Sequence, residues 1–404
     1  MNNVLPADTD AGRSIASEDA TDAEIIIARA NALTEVVGAH ADETERLRRP
    51  ADANCAAIRR AGIHRIFQPA RFGGAEAPFR TGVEVLSAIG RGCGSTAWVL
   101  AQNITHNMMV SQWPQEAQET VWADPTALLS GILIPGIGKA TVVDGGYRLS
   151  GRWPFVSGVD VCDFALFTAF VPDGDRLIDL HLILPREQFE IIDTWHAIGL
   201  KGSASNDVSI DDVFVPRHMT LDGEFLRGRA PRYDGEPVVF QAPNYAMFGS
   251  MIGSAQLGIA EGGVATYLDQ AVGRVARMST KKVADYNTHH VKVAEAVTCL
   301  KAARQLIYGT CDLATAILES GRLPTLEERA QFRAEAALAG QLSARAMAVV
   351  WDAGGGGAIY DRNPLSRYYR DISAAARHIT QNWDANLGTF GRMKLGLPID
   401  NPAL

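Results

Sequence analysis

For about 100 residues in the middle of this 404-residue chain, the helical spacing of apolar residues gives way to strand-like pieces and tight turns. On either side the spacing is helical. This order constrains the fold more than any other feature, because residues repeating every two positions pack on a sheet and residues repeating every 3.6 pack on a helix. Residues 141–149 read as two short strands around an Asp144-Gly-Gly turn, and residues 164–171 and 178–184 flank a Pro-Asp-Gly-Asp turn. Val208 to Pro216 alternates apolar and polar residues and stops at the proline. The expectation is an α+β chain whose residues 126–237 form a barrel-like antiparallel β-domain.

Upstream, helices are expected over 22–49, 51–61, 79–89, 95–112 and 114–122, with Pro50, Gly62 and Pro114 as boundaries, giving an N-terminal helical domain over 21–125. Residues 1–20, rich in Ala, Asp, Ser and Asn, read as a loose tail. Downstream, helices over 241–277, 284–319, 325–353 and 364–386 make a four-helix bundle within 238–404, and Thr325 with Glu328 forms a capping box behind Pro324.

A net charge of -8 argues against nucleic acid or an anionic membrane as partner, since both call for clustered Lys and Arg. The five cysteines (55, 93, 162, 299 and 311) are odd in number and include no CxxC pair, so neither a disulfide framework nor a metal site is expected. With no apolar run of membrane-spanning length and no leader-like start, a cytoplasmic location is the expectation.

Two stretches of the β-rich segment carry a resemblance: Tyr147 to Gly158, which contains Arg152-Trp-Pro-Phe-Val-Ser157, and Gly199 to Val208, followed by Asp211-Asp-Val-Phe-Val-Pro216. With Ala294-Glu295 to Arg304, and Gly354 to Gly357 ahead of Arg367-Tyr-Tyr-Arg-Asp371, they stand in the order found in the acyl-CoA dehydrogenase superfamily. The likeness spans nearly the whole chain after residue 25. Dehydrogenases of that family use a catalytic glutamate as base. Here Ile379 stands at the matching position, and the alternative position near Phe248 lies in Asn244 to Ile252, which has no acid. His378 followed by Trp383-Asp384 instead resembles the branch of two-component flavin monooxygenases.

That resemblance implies the oxygenase component of a reduced-flavin-dependent monooxygenase. It would hydroxylate a phenolic or other electron-rich aromatic through a C4a-hydroperoxyflavin, using O2 and reduced FMN or FAD delivered by a separate flavin reductase. It also implies a homotetramer. By the same likeness Ser157 guards flavin N5, His378 acts as acid or base near neutral pH, and His106, four residues after Gln102, approaches flavin and substrate. Trp153 and Phe155 would wall the ring, although aromatics on strands serve equally as core. Ser203, Ser205, Arg277, Gly355 and Gly356 are candidate flavin contacts. Met108, Met109, Trp113, Tyr245 and Phe248 would suit an aromatic pocket. The rival readings are an N-hydroxylase of an amine or amino sugar, an acyl-CoA dehydrogenase-like flavoprotein with its base elsewhere, and a helical scaffold without chemistry.

Overall fold

The computed structural model describes residues 21–174, 176–229, 236–277, 279–399, 401 and 404; the 1–20 tail and most of the connection at 228–237 lie outside them. The first helices are α1 (Asp22–Ala39), α2 (Ala41–Leu47), α3 (Asp52–Ala61), α4 (Phe79–Gly92), α5 (Gly94–Val110) and α6 (Gln115–Val121). Then come β1 (Leu129–Gly131), β2 (Gly138–Val143), β3 (Gly146–Val156), β4 (Phe164–Asp173), β5 (Arg176–Pro185), β6 (Glu190–Ile192), β7 (Asn206–Pro216) and β8 (Thr220–Asp222). Two one-turn helices follow, α7 (Gly223–Leu226) and α8 (Val238–Gln241), and then α9 (Asn244–Gly273), α10 (Asn287–Glu319), α11 (Leu326–Gly354), α12 (Pro364–Ala375) and α13 (Trp383–Lys394).

Two expected helices are broken. The 22–49 helix divides at His40, whose φ/ψ of -104°/14° interrupts the turn between α1 and α2. The 364–386 helix ends at Ala375, and the chain passes through a 3-10 turn (Ile379–Gln381) before α13. Side-chain capping makes the second break: His378 Nδ1 accepts from Thr380 N, and Asn382 Oδ1 accepts from Ala385 N to start α13. Thr325 caps α11 as expected, with Glu328 returning the bond to Thr325 N at 2.8 Å.

The sheet runs β6-β7-β3-β2-β4-β5-β8. It is mixed rather than antiparallel throughout, because β1 and β2 both pair with β4 in parallel. Leu129 to Gly131 faces one half of β4 and Gly138 to Lys139 the other, so two short strands share one edge. Trp153 fills the sheet core. Gly138 is required beneath it, since a Cβ there would lie 2.2 Å from Trp153 Cζ2.

The bundle and most of the N-terminal helices form one hydrophobic core, the sheet with the end of α5 and α6 forms another, and Phe248 of α9 packs against both. The 30-residue α9 is buried over most of its length. It crosses α4 closely where Gly258 faces Ser87: a Cβ on Gly258 would meet Ser87 O at 2.4 Å. This crossing docks the bundle on the N-terminal helices and brings α5, β3 and the turn after α12 to one junction.

Candidate active site

The junction holds a chain of polar and aromatic contacts. Trp98 on α5 donates its indole N–H to Ser157 Oγ at 3.2 Å. Ser157 Oγ lies 2.7 Å from Ser205 Oγ, which lies 2.7 Å from Ser203 Oγ. Ser130 Oγ donates to Ser157 O, and Gly158 N donates to Ser203 O at 2.8 Å. The end of β3 and the loop before β7 are therefore stitched together on both backbone and side chains, and the three hydroxyls that the sequence singled out form one hydrogen-bonded row.

The loop carrying Ser203 is held in an uncommon shape. Leu200 and Ala204 both have left-handed φ, 49° and 48°, which non-glycine residues adopt only when surroundings enforce it. Three elements do so: Asp371 Oδ1 accepts from Leu200 N at 2.7 Å, Ser95 Oγ from Gly202 N at 3.2 Å, and Arg48 O from Ala204 N at 3.1 Å. Asp371 is fully enclosed, and burial raises its carboxyl to about 6.

From Trp98 the contacts continue to the histidines. The Trp98 ring meets His378 edge-on at 5.4 Å, His378 lies 5.9 Å from the Phe248 ring, and Phe248 lies 6.4 Å from His106. The two histidines are held in opposite tautomers. His106 Nδ1 sits 2.6 Å from Gln102 O, a carbonyl that accepts only, so Nδ1 carries the proton and Nε2 is a bare lone pair. That Nε2 is buried without a partner, beside Gly131, where a Cβ would come within 2.9 Å of it. His378 Nδ1 accepts from Thr380 N at 3.3 Å and lies 2.8 Å from Thr380 Oγ1, a hydroxyl that can donate to it, which leaves the proton of the neutral ring on Nε2. Burial lowers both histidines to about 4, with the Arg333 charge as a second cause at His378. The expectation that His378 titrates near neutral pH is thereby corrected: both rings are neutral there, one presenting an acceptor and the other a donor.

Phe155 is 58% exposed at φ 61° and meets Trp195 edge-on at 6.3 Å. Ile379 and Trp383, flanking the His378 turn, are exposed too. Trp153 is no part of this surface: it is fully buried, donates to Thr168 O at 2.9 Å and packs at a tilt against Phe167, so it is sheet core. Met108, Met109 and Trp113 are likewise core residues, whereas Tyr245 and Phe248 are partly buried at the junction. Gly355 and Gly356 form an exposed turn after α11, where Arg274 donates to Gly354 O at 2.6 Å. Arg277 is exposed in the turn after α9. No contact among the described residues joins this end of the bundle to the serine row.

Exposed aromatics beside a row of hydroxyls, with an orphan acceptor deeper in, fit a planar heterocycle and a hydroxylated aromatic. Residues 250–383 match the family model described as acyl-CoA dehydrogenase, C-terminal domain. The chain is 33% identical over 390 residues to the FADH2-dependent resorcinol hydroxylase, oxygenase component, of Rhizobium sp. (strain MTP-10005), covering 92% of this chain and 94% of that one. It belongs to the flavin-dependent monooxygenases, as an oxygenase component. Among solved structures, the 3-HSA hydroxylase of Rhodococcus sp. RHA1 superposes with a TM-score of 0.89 at 29% identity, over 95% of this chain and 100% of that one. XiaF of Streptomyces sp., in complex with FADH2 and glycerol, gives 0.87 at 27% identity, over 94% and 97%.

For an oxygenase component on the acyl-CoA dehydrogenase fold, the absent carboxylate is consistent. Ile379 occupies the turn beside His378, and the nearby Asp371 is spent on Leu200 N. Trp98 and Arg333 escaped the sequence reading. Trp98 sits in a helix buried along almost its whole length and looks like core there. Arg333 falls in a charged helix that reads as solvated.

Proposed function

We propose that the chain hydroxylates a phenolic or other electron-rich aromatic compound, taking reduced flavin from a partner reductase. Reduced flavin and O2 supply the oxygen atom that is transferred. The protein's own residues bind, orient and hold protons. The observation that carries the reading is the pair of opposed neutral histidines on either side of Phe248. His106 Nε2 offers the lone pair that a phenol O–H needs, and His378 Nε2–H offers a donor toward the flavin side. A hydroxyl bound at His106 gives up its proton toward that nitrogen and enriches the ring in electrons.

Ser157 is assigned to flavin N5. Its oxygen has two lone pairs and one proton. Trp98 uses one lone pair. If the row runs Ser157 to Ser205 to Ser203, the Ser157 proton is used as well, and one lone pair remains to accept an N–H. Phe155 and Trp195 flank the ring, and Ser203 and Ser205 complete its polar edge.

The reading extends to a homotetramer in which Arg277, Gly355 and Gly356 serve the flavin phosphates of a neighbouring subunit; their exposure at the bundle end supports it. It also places the enzyme in the cytoplasm, supported by five free cysteines; no helix among the described residues is long and apolar enough to cross a membrane. Either FMN or FAD is accommodated, since the assigned ring contacts meet only the part common to both. The amine N-hydroxylase rival would call for a free carboxylate near the histidines, and the described residues place none there.

The test is anaerobic mixing with reduced FMN or FAD, addition of oxygen, and rapid absorbance recording with and without phenols. Slow return to the oxidised flavin spectrum, with a phenol converted to a catechol-type product, supports the reading. Reoxidation as fast as in buffer, with no product, overturns it.

A further inference from the structure

Arg333 on α11 is a buried cation that no carboxylate neutralises among the described residues. It is 6% exposed. Its Nε donates to Asn386 Oδ1 at 3.1 Å, and its Nη1 donates to Tyr245 O at 3.1 Å; both acceptors are neutral. The buried carboxylate of this neighbourhood, Asp179, is already engaged by Arg227 and by His181. Arg329, one turn earlier on the same face, is also buried and donates only to a carbonyl, Arg227 O at 2.5 Å. Its presence raises the local positive potential further. Placing an unpaired guanidinium in the interior is costly unless an anion compensates it.

The position of Arg333 relates it to the site. Tyr245 begins α9 one turn before Phe248, and Asn386 donates to Ile379 O at 3.0 Å, the residue after His378. Arg333 is therefore two hydrogen bonds behind the histidine turn, through Asn386, and holds the α9 backbone one turn before Phe248. Among the described residues its Nη2 has no hydrogen-bond partner, and unlike Arg329 Nε it is not completely enclosed.

We propose that Arg333 anchors a carboxylate carried by the aromatic substrate, with the hydroxyl of that substrate at His106. The substrate class is then a hydroxylated aromatic acid rather than a neutral phenol. This rests on the aromatic-hydroxylase reading above. A guanidinium fork matches a carboxylate in shape and charge, and a neutral hydroxyl in the same place recovers little of that energy.

The experiment compares 3-hydroxybenzoate with resorcinol, in which a neutral hydroxyl replaces the carboxylate. Binding is read by tryptophan fluorescence in the flavin-free protein, and product formation with reduced flavin is measured alongside. Wild type is expected to bind 3-hydroxybenzoate at least about tenfold more tightly than resorcinol, a preference that Arg333→Gln abolishes and Arg333→Lys partly keeps. Melting curves and reduced-flavin affinity show whether each variant is folded. Equal wild-type binding of the two compounds overturns the assignment without any variant, as does a preference that survives Arg333→Gln. Resorcinol hydroxylated while 3-hydroxybenzoate is neither bound nor turned over removes the role of Arg333 and leaves the monooxygenase standing. Failure of both compounds to bind or react removes both conclusions.

Discussion

Trp98 donates to Ser157 Oγ across 3.2 Å, while the same indole meets His378 edge-on at 5.4 Å. One α5 side chain thus couples the hydroxyl assigned to the flavin with the histidine assigned to catalysis. Trp98→Phe keeps a ring against His378 and removes the N–H. The bond's loss is expected to cost about 1 kcal/mol of stability. The larger effect is expected at the flavin. With Trp98 gone, Ser157 is no longer held by α5, and reduced-flavin affinity should fall several-fold. An anaerobic flavin titration checks this, and an unchanged affinity would show that Ser205 alone positions Ser157.

Four buried groups shape the pH dependence of stability around pH 5. His64, His106 and His378 lie at about 4 in the native state, each mainly through burial. A histidine depressed from its ordinary 6.5 contributes stability that is present above that value and lost as pH falls toward 4. Asp371, raised from 3.8 to about 6, acts in the other direction, taking up a proton in the native state that the unfolded chain lacks. At pH 5 unfolding therefore takes up about two protons, and stability falls by roughly 3 kcal/mol per pH unit on acidification. Asp371→Asn keeps an acceptor for Leu200 N and should steepen that slope by about one proton, whereas His106→Asn should flatten it by one. Chemical denaturation between pH 4 and 7 measures both, and changes of the same sign would contradict the assignment.

In the sheet, Gly138 and Trp153 are expected to be energetically coupled. Gly138→Ala forces a Cβ to within 2.2 Å of Trp153 Cζ2 and should cost about 1–3 kcal/mol or more. Trp153→Phe opens space at that point. The double variant should recover part of the loss, although not all, because Thr168 O also crowds the Cβ at 2.7 Å. A double-mutant cycle by urea denaturation gives the coupling, and strict additivity would argue that strain at Thr168 O dominates.

The parts of this fold that were legible in the sequence are those that local chemistry dictates. The alternation in Val208 to Pro216 and the capping box at Thr325 each act within a few residues, and β7 and the start of α11 form as read. The turn at His378 was not legible. Ala374-Ala-Ala376 favours helix, and no Pro or Gly interrupts it; the break is made by His378 and Asn382 bonding to backbone N–H groups. The parallel edge of β4 was hidden because β1 is only three residues long and its pairing is non-local. Trp98 and Arg333 look like a core aromatic and a surface cation until the tertiary structure shows what surrounds them. The serine row lay between, since the motifs marked its members but gave no sign that Ser157, Ser205 and Ser203 bond to one another.

The opposed tautomers of His106 and His378 lead to the most exposed prediction. If His106 Nε2 accepts the substrate hydroxyl, only protonation of that nitrogen or its removal should block the step. With the ring at about 4, kcat/KM should stay flat from about pH 8 down to pH 6 as far as histidine is concerned, and fall only toward pH 4. An acid limb near 6.5 would mean that the rings are solvated in the working enzyme and that the buried geometry is not the reactive one. Substitution separates the two roles. His106→Gln removes the lone pair at Nε2 and should lower kcat/KM by about 100-fold, the scale of a lost general base. His378→Asn keeps an N–H donor near the same place and should do less harm than His378→Ala. The readout is product formed per flavin oxidised, because the histidines are assigned different partners. With substrate absent, the rate of flavin reoxidation is read instead: loss at His106 should leave it as in wild type and lower only the product yield, whereas loss at His378 should speed reoxidation with or without substrate. Identical behaviour of the two variants would mean that both rings serve the same partner, and the assignment of His106 to the substrate hydroxyl would fall.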